Sequence, residues 1–280
     1  MVMADLFRMW RNTRMVVLTA ICAALYAAIL IPFKVVPLIP GITEFRPANA
    51  VPIVCSFLFG PAAAWGAAFG NLIGDFFGGL GPGDLFGFLA NLLYGLVPYA
   101  VWEAVTTRPP VPIDPTPSSP QRGEEGVLRR AFGLATLWVR LLPVIVLAAM
   151  LCATVVGWGL HLLGFHPFTV LGTVVLVNNL AVAVVLVPPL LAVLYPRVHH
   201  ARLLYRDVLG PRARLPAWRA MLGVTCVVVG TVAAFSAGEL VASGRWRPPW
   251  VPCRTTSGAC EVGFGLVPFL GVTVGGLALL

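Results

Sequence analysis

The sequence predicts an all-α polytopic membrane protein, and three observations carry that expectation. Apolar residues make up 59% of the 280 and charged residues only 11%, against about 25% charged in soluble domains. The apolar runs are continuous rather than alternating, which excludes a transmembrane β-barrel. About eight of them approach the roughly 20 residues that a helix needs to cross a bilayer. Positive charge is also concentrated in alternate connecting segments, so the net charge of +8 reports membrane orientation rather than nucleic-acid binding.

Residues 1–14 form a short basic amphipathic lead expected at the cytoplasmic interface. Residues 15–104 carry spans one to four. The first span (15–33) repeats Ala20, Ala24 and Ala28 on one helix face, with Ala23 and Ala27 beside them. Small residues spaced by four permit close helix approach, either to the chain's own helices or to a partner subunit. Residues 34–46 contain two prolines and a glycine and read as an ordered outer loop. Pro47 starts a short second span, since proline suits the first helical position. An FGP turn at Phe59–Pro61 leads to a third span rich in Ala and Gly, suited to tight burial. GGLGPGD makes the next turn, and the fourth span ends in VPYAVWE, where Tyr99 and Trp102 are expected in an interfacial belt.

Residues 105–130 are Pro/Ser-rich and charged and read as a disordered cytoplasmic linker. Spans five and six occupy 131–195, with Arg140 able to snorkel to the inner surface and Asn178–Asn179 deep in span six. A basic cytoplasmic loop covers 196–219, and spans seven and eight lie in 220–280. With both termini in the cytoplasm of a cell-membrane protein, the inner segments hold thirteen Lys/Arg: three in the lead, four in 105–130, six in 195–219. The outer segments hold five: Lys34, Arg46, Arg245, Arg247 and Arg254. This places Cys253 and Cys260 in an outer loop, where a disulfide between them is compatible with an oxidising space. The other four cysteines sit singly in apolar spans and read as small buried hydrophobes.

The chemistry concentrates between Gly41 and Glu103. Glu44, Arg46, Asn49, Asn71, Asp75, Asp84 and Asn91 interrupt apolar sequence, and such groups near hydrocarbon are costly unless they face a protein interior or a cavity. The alternating direction of the spans brings the start of span two, the end of span three and the start of span four to one membrane face. Trp65, Phe76, Phe86, Phe88 and Tyr94 are interleaved with them. Individually these residues read as a loop ion pair, interhelical hydrogen bonds or turn residues; together they predict a ligand pocket in the outer half of the membrane. No nucleophile elbow, P-loop or zinc-helix motif occurs, and His161 and His166 lack a partner at convincing metal-ligand spacing. The expectation is therefore a protein that is not an enzyme and carries no cofactor or metal.

The first helix with its AxxxAxxxA repeat, followed by EFRPANAVPI, FGPAAAWGAAFGNLIGDFFGG and GPGDLFGFLANLLYG, resembles the substrate-binding S components of energy-coupling factor (ECF) transporters. The QueT-like (queuosine-precursor-type) group is the most similar. The resemblance covers roughly residues 13–195 and implies a six-helix S-component-like core, which leaves spans seven and eight as a C-terminal two-helix hairpin. It implies capture of a vitamin-like micronutrient (a queuosine precursor, cobalamin or similar) from outside. It further implies association with a transmembrane T component and two ATPase subunits through the helix-one face of Ala20, Ala24 and Ala28. Glu44, Arg46, Asn49, Asn71, Asp75, Asp84, Asn91 and Tyr94 are the expected substrate-binding set, and bilayer lipid is the remaining partner. A non-transporting scaffold of the cell-shape apparatus is the alternative reading.

Overall fold

The computed structural model describes residues 2–33, 37–39, 43–44, 46–106, 108–111, 124–210, 215–252 and 258–280, with backbone alone at 37–39, 43–44 and 124–132. Ten α-helices are described: α1 (Val2–Arg8), α2 (Thr13–Phe33), α3 (Ala50–Phe59), α4 (Pro61–Gly78), α5 (Asp84–Val105), α6 (Glu124–Leu162), α7 (Phe168–His200), α8 (Tyr205–Leu209), α9 (Ala217–Ala242) and α10 (Ala259–Leu279). The end of the bundle where α2 finishes is termed upper, the opposite end lower. Two short strands at the upper end, β1 (Pro37–Ile39) and β2 (Thr43–Glu44), pair antiparallel with Pro37 opposite Glu44. Helix dominates because a chain crossing hydrocarbon must satisfy every backbone polar group within itself.

Among the described residues six helices are long and apolar enough to span a bilayer: α2, α5, α6, α7, α9 and α10. Spans two and three of the expected eight differ from these. The 3₁₀ turn Pro47–Asn49 and α3 together have 13 residues, about 20 Å of helix against a hydrocarbon thickness near 30 Å. α4 has only 18 residues, four of them glycine. Both helices are wrapped by longer neighbours: α3 packs on α4, α5 and α7, and α4 fills the space between α2 and α5.

Local sequence sets where these helices begin and meet. Asn12 caps α2, its Oδ1 accepting from the backbone N–H of Arg14 at 3.0 Å and of Met15 at 3.4 Å, which satisfies donors a helix N-terminus otherwise leaves open. Gly60 turns α3 into α4 with φ +56°, a conformation glycine adopts without penalty. Gly66, Gly70 and Gly74 form one stripe of α4 against α2: a Cβ at Gly66 would lie 2.4 Å from the Cys22 Cβ, and one at Gly70 would lie 2.8 Å from the Ala23 carbonyl oxygen. The opposite edge of α2 remains outside the bundle, with Ala20, Ala24 and Ala28 exposed among Val17, Ile21, Leu25 and Ile29.

Several expectations change at the lower end. The 1–14 lead packs against the bundle: Val2, Leu6 and Met9 are buried, and the Val2 N–H donates to the Leu280 carbonyl at 3.0 Å. Tyr99 and Trp102 are not a lipid-facing belt but buried members of the core. The Tyr99 hydroxyl donates to Asp5 Oδ2 at 3.1 Å and the Trp102 indole to the Arg108 carbonyl at 3.0 Å. Arg206 of the basic loop folds back onto Glu103 at 2.5 Å, and the Tyr205 hydroxyl donates to the same carboxylate. The expected linker 105–130 is narrower: Pro110 and Val111 are buried, and 124–130 extend α6, because Glu, Leu and Arg in EEGVLRR are strong helix formers. Residues 112–123 lie outside the described residues. The C-terminal hairpin packs α9 against α5, α6 and α7, and α10 against α9 and α6.

Candidate functional site

A buried polar cluster occupies the upper half of the bundle, where α2, α5, α6 and α7 converge below the β1–β2 segment. It surrounds a cavity of about 80 Å³ lined by Tyr26, Arg46, Asn49, Asn91, Cys152, Asn178 and Asn179, with Val156, Leu160, Leu171 and Val175 as its apolar wall. The Tyr26 hydroxyl lies 3.1 Å from Asn49 Oδ1 and 3.0 Å from Asn91 Oδ1. The Asn49 amide donates to Asn179 Oδ1 at 2.5 Å, and the Asn91 amide to the Gly87 carbonyl at 2.9 Å. Four helical elements are thereby tied through polar side chains at membrane depth: α2, the Pro47–Asn49 turn, α5 and α7. Buried amides of this kind persist because each finds a partner.

The eight residues expected to bind substrate separate into groups. Arg46, Asn49 and Asn91 line the cavity. Asn71 and Asp75 form a second pair on α4, joined at 2.5 Å from the Asn71 amide to Asp75 Oδ2. They abut the same stretch of α5, since a Cβ at Gly87 would stand 3.1 Å from the Asn71 amide nitrogen. The Asn71 Oδ1 is buried and has no hydrogen-bond partner among the described residues. Asp84 stands at the rim and closes the α4–α5 turn, accepting from the Gly81 N–H at 2.7 Å. Tyr94 is buried one turn below Asn91, its hydroxyl without a partner among the described residues, outside the cavity lining. The Glu44 side chain lies outside the described residues.

Three contributors were not in the expected set. Asn178 and Asn179 look isolated in span six, yet α7 delivers both to the same cavity as Asn49 and Asn91. Tyr26 is a lone aromatic in an aliphatic span. Its position three residues after Ala23, on the face that α2 turns toward α4, is the signal that marks it. The interleaved aromatics behave differently from expectation and do not line the cavity: Phe76 is 70% exposed, and Phe86 stacks edge-on against Trp158 at 5.7 Å. Trp65, Phe69 and Phe88 form an aromatic surface with Trp10. Aromatic side chains spread this way because their faces and edges pack favourably on one another.

His161 has a structural role, its Nδ1 accepting from the Phe168 N–H at 3.1 Å and so capping α7. Among the described residues no group of three or more His, Cys, Asp or Glu is arranged to hold a metal ion. Cys260 is disulfide-bonded; its expected partner Cys253 lies outside the described residues.

The arrangement is a small amide-lined chamber inside an otherwise apolar bundle. It defines a multi-pass membrane protein with a buried polar cluster. The comparison with family models gives the particular family: the QueT transporter model matches residues 16–196, well over half of the chain, and the chain belongs to that family. It is a membrane transport protein. No curated protein and no solved structure matches it.

Proposed function

We propose that this chain is the substrate-capturing subunit of an ECF-type importer for a vitamin-like micronutrient, a queuosine precursor, cobalamin or a similar molecule. The observation that carries the reading is the linked set Tyr26, Asn49, Asn91 and Asn179 around one chamber in the upper half. Carboxamides both donate and accept, so they match the alternating polar edge of a planar heterocycle. Arg46 adds a fixed positive charge for an acceptor or anionic group. Asn71 and Asp75 sit against the α5 segment that carries Gly87 and Asn91, within reach of an enlarged site. The present chamber of about 80 Å³ falls well below the ~300–1,000 Å³ of typical small-molecule sites. Ligand entry therefore requires the α2, α5 and α7 ends to separate and reclose.

The upper end faces the cell exterior in this reading, by the distribution of Lys/Arg. The exposed Ala20, Ala24 and Ala28 edge of α2 meets the T component, which links the chain to its two ATPases. Mass spectrometry of small molecules retained by the detergent-extracted protein tests the ligand half, and a nitrogen-rich heterocyclic compound is expected. For the partner half, Ala24→Leu adds bulk where helices meet closely. Pull-down of the T component and ATPases should be lost while ligand binding by the isolated subunit persists. Retention of both properties would remove the α2 edge from the account.

A further inference from the structure

We propose that the lower half of the bundle carries a binding groove for one anionic phospholipid. A cavity of about 820 Å³ opens laterally between α5, α6 and α9, on the opposite half of the molecule from the amide chamber. Its walls are apolar, formed by residues such as Trp102, Pro143, Val228 and Val232, and its mouth carries Arg108 and Arg140.

Depth and charge together select the occupant. Arg140 lies 22 residues before the end of α6, about 33 Å below the upper end at 1.5 Å per residue, which is the boundary of a hydrocarbon core near 30 Å thick. Arg108 follows α5 by three residues, so it reaches the same level. From Arg140 to Met150 the groove rises along α6 by about 15 Å, the depth of a single leaflet. An acyl chain fits that depth, and two guanidinium groups at the headgroup plane fit a phosphate. Among the described residues neither guanidinium has an ion pair or side-chain hydrogen bond. Arg108 is fixed through its backbone instead, its N–H donating to Thr106 Oγ1 at 3.1 Å and its carbonyl accepting from Trp102. Pro143 supplies part of the concavity, since proline removes one helix hydrogen bond and disturbs the turn before it.

The test titrates dioleoyl phosphatidylglycerol and dioleoyl phosphatidylcholine separately into delipidated full-length protein, with native mass spectrometry as readout. Wild type should retain phosphatidylglycerol at least fivefold more strongly. The Arg108→Ala/Arg140→Ala double variant should lose that preference, Arg108→Lys/Arg140→Lys should keep most of it, and Val228→Trp should weaken both lipids by filling the groove. Failure of excess glycerol phosphate to displace the bound lipid supports a site that needs the acyl chain. Equal retention of the two lipids by wild type, or an unchanged preference in the double alanine variant, would overturn the proposal. So would a dimer that Val228→Trp dissolves, because the groove would then belong to a second copy of the chain.

Discussion

Tyr26 shows how one hydroxyl orders the polar site. Its oxygen lies within hydrogen-bond distance of both Asn49 and Asn91, and it can donate to only one of them at a time, so the two amides share it where α2, the Pro47–Asn49 turn and α5 meet. Tyr26→Phe removes that group without changing ring packing. A buried hydrogen bond contributes about 0.5–1.5 kcal/mol, and 1 kcal/mol shifts the melting temperature by roughly 2–4 °C in a domain of this size. A fall of a few degrees in detergent is expected, with the protein still monodisperse; an unchanged melting temperature would show that the contact is not maintained. Asn49 and Asn91 were legible in the sequence because a carboxamide next to an apolar run needs a reason. Asn179 and Asn178 were legible as polar but not as neighbours of Asn49, because 130 residues separate Asn49 from Asn179 and only tertiary packing brings α7 beside the Pro47–Asn49 turn. Asp84 has a local partner in the Gly81 N–H at 2.7 Å, and turn residues and ligand residues share the same polar chemistry in a sequence.

At the scale of elements, glycine decides how closely helices approach. Gly66, Gly70 and Gly74 let the backbone of α4 rest on α2, and the sequence announced this through the Ala/Gly composition of that span. Gly70→Ala would place a Cβ 2.8 Å from the Ala23 carbonyl oxygen and 2.9 Å from the Tyr26 Cβ, neither of which can yield without moving the helix axis. Such overpacking costs about 1–3 kcal/mol, so a marked loss of thermal stability is expected. Gly275 on α10 has nothing within 4 Å of the corresponding position. Gly275→Ala should be neutral or slightly stabilising, since alanine is the better helix former. Equal effects of the two substitutions in a thermal-shift assay would contradict the close α2–α4 contact. Element boundaries were less legible than element identities. The start of α6 at Glu124 and the shortness of α3 both follow from local helix propensity and a tight Gly60 turn, whereas a hydropathy pattern registers only the stretch inside the apolar layer.

For the whole molecule, the alternation of helix directions gathers every amide of the site at the upper end and most of the arginines at the lower end. The orientation this implies is open to direct labelling. Phe165→Cys at the upper end and Leu203→Cys at the lower end both replace exposed side chains. A membrane-impermeant maleimide applied to intact cells should label the first, and label the second only after permeabilisation; the reverse pattern would invert the topology. The C-terminal hairpin was legible as two apolar spans, but its seat on α5, α6 and α7 was not, because apolar surfaces facing lipid and facing protein are written in the same residues. The central claim is that the amide chamber captures the transported molecule, and calorimetric titration of that molecule into purified wild-type, Asn91→Ala, Asn179→Ala and Asp84→Ala proteins tests it most directly. Losing one buried hydrogen bond of about 1–3 kcal/mol corresponds to roughly tenfold to a hundredfold in affinity. The two chamber variants should weaken by that factor while remaining folded, and Asp84→Ala should bind as wild type. Wild-type affinity in both chamber variants, or an equal loss in Asp84→Ala, would place the binding site elsewhere.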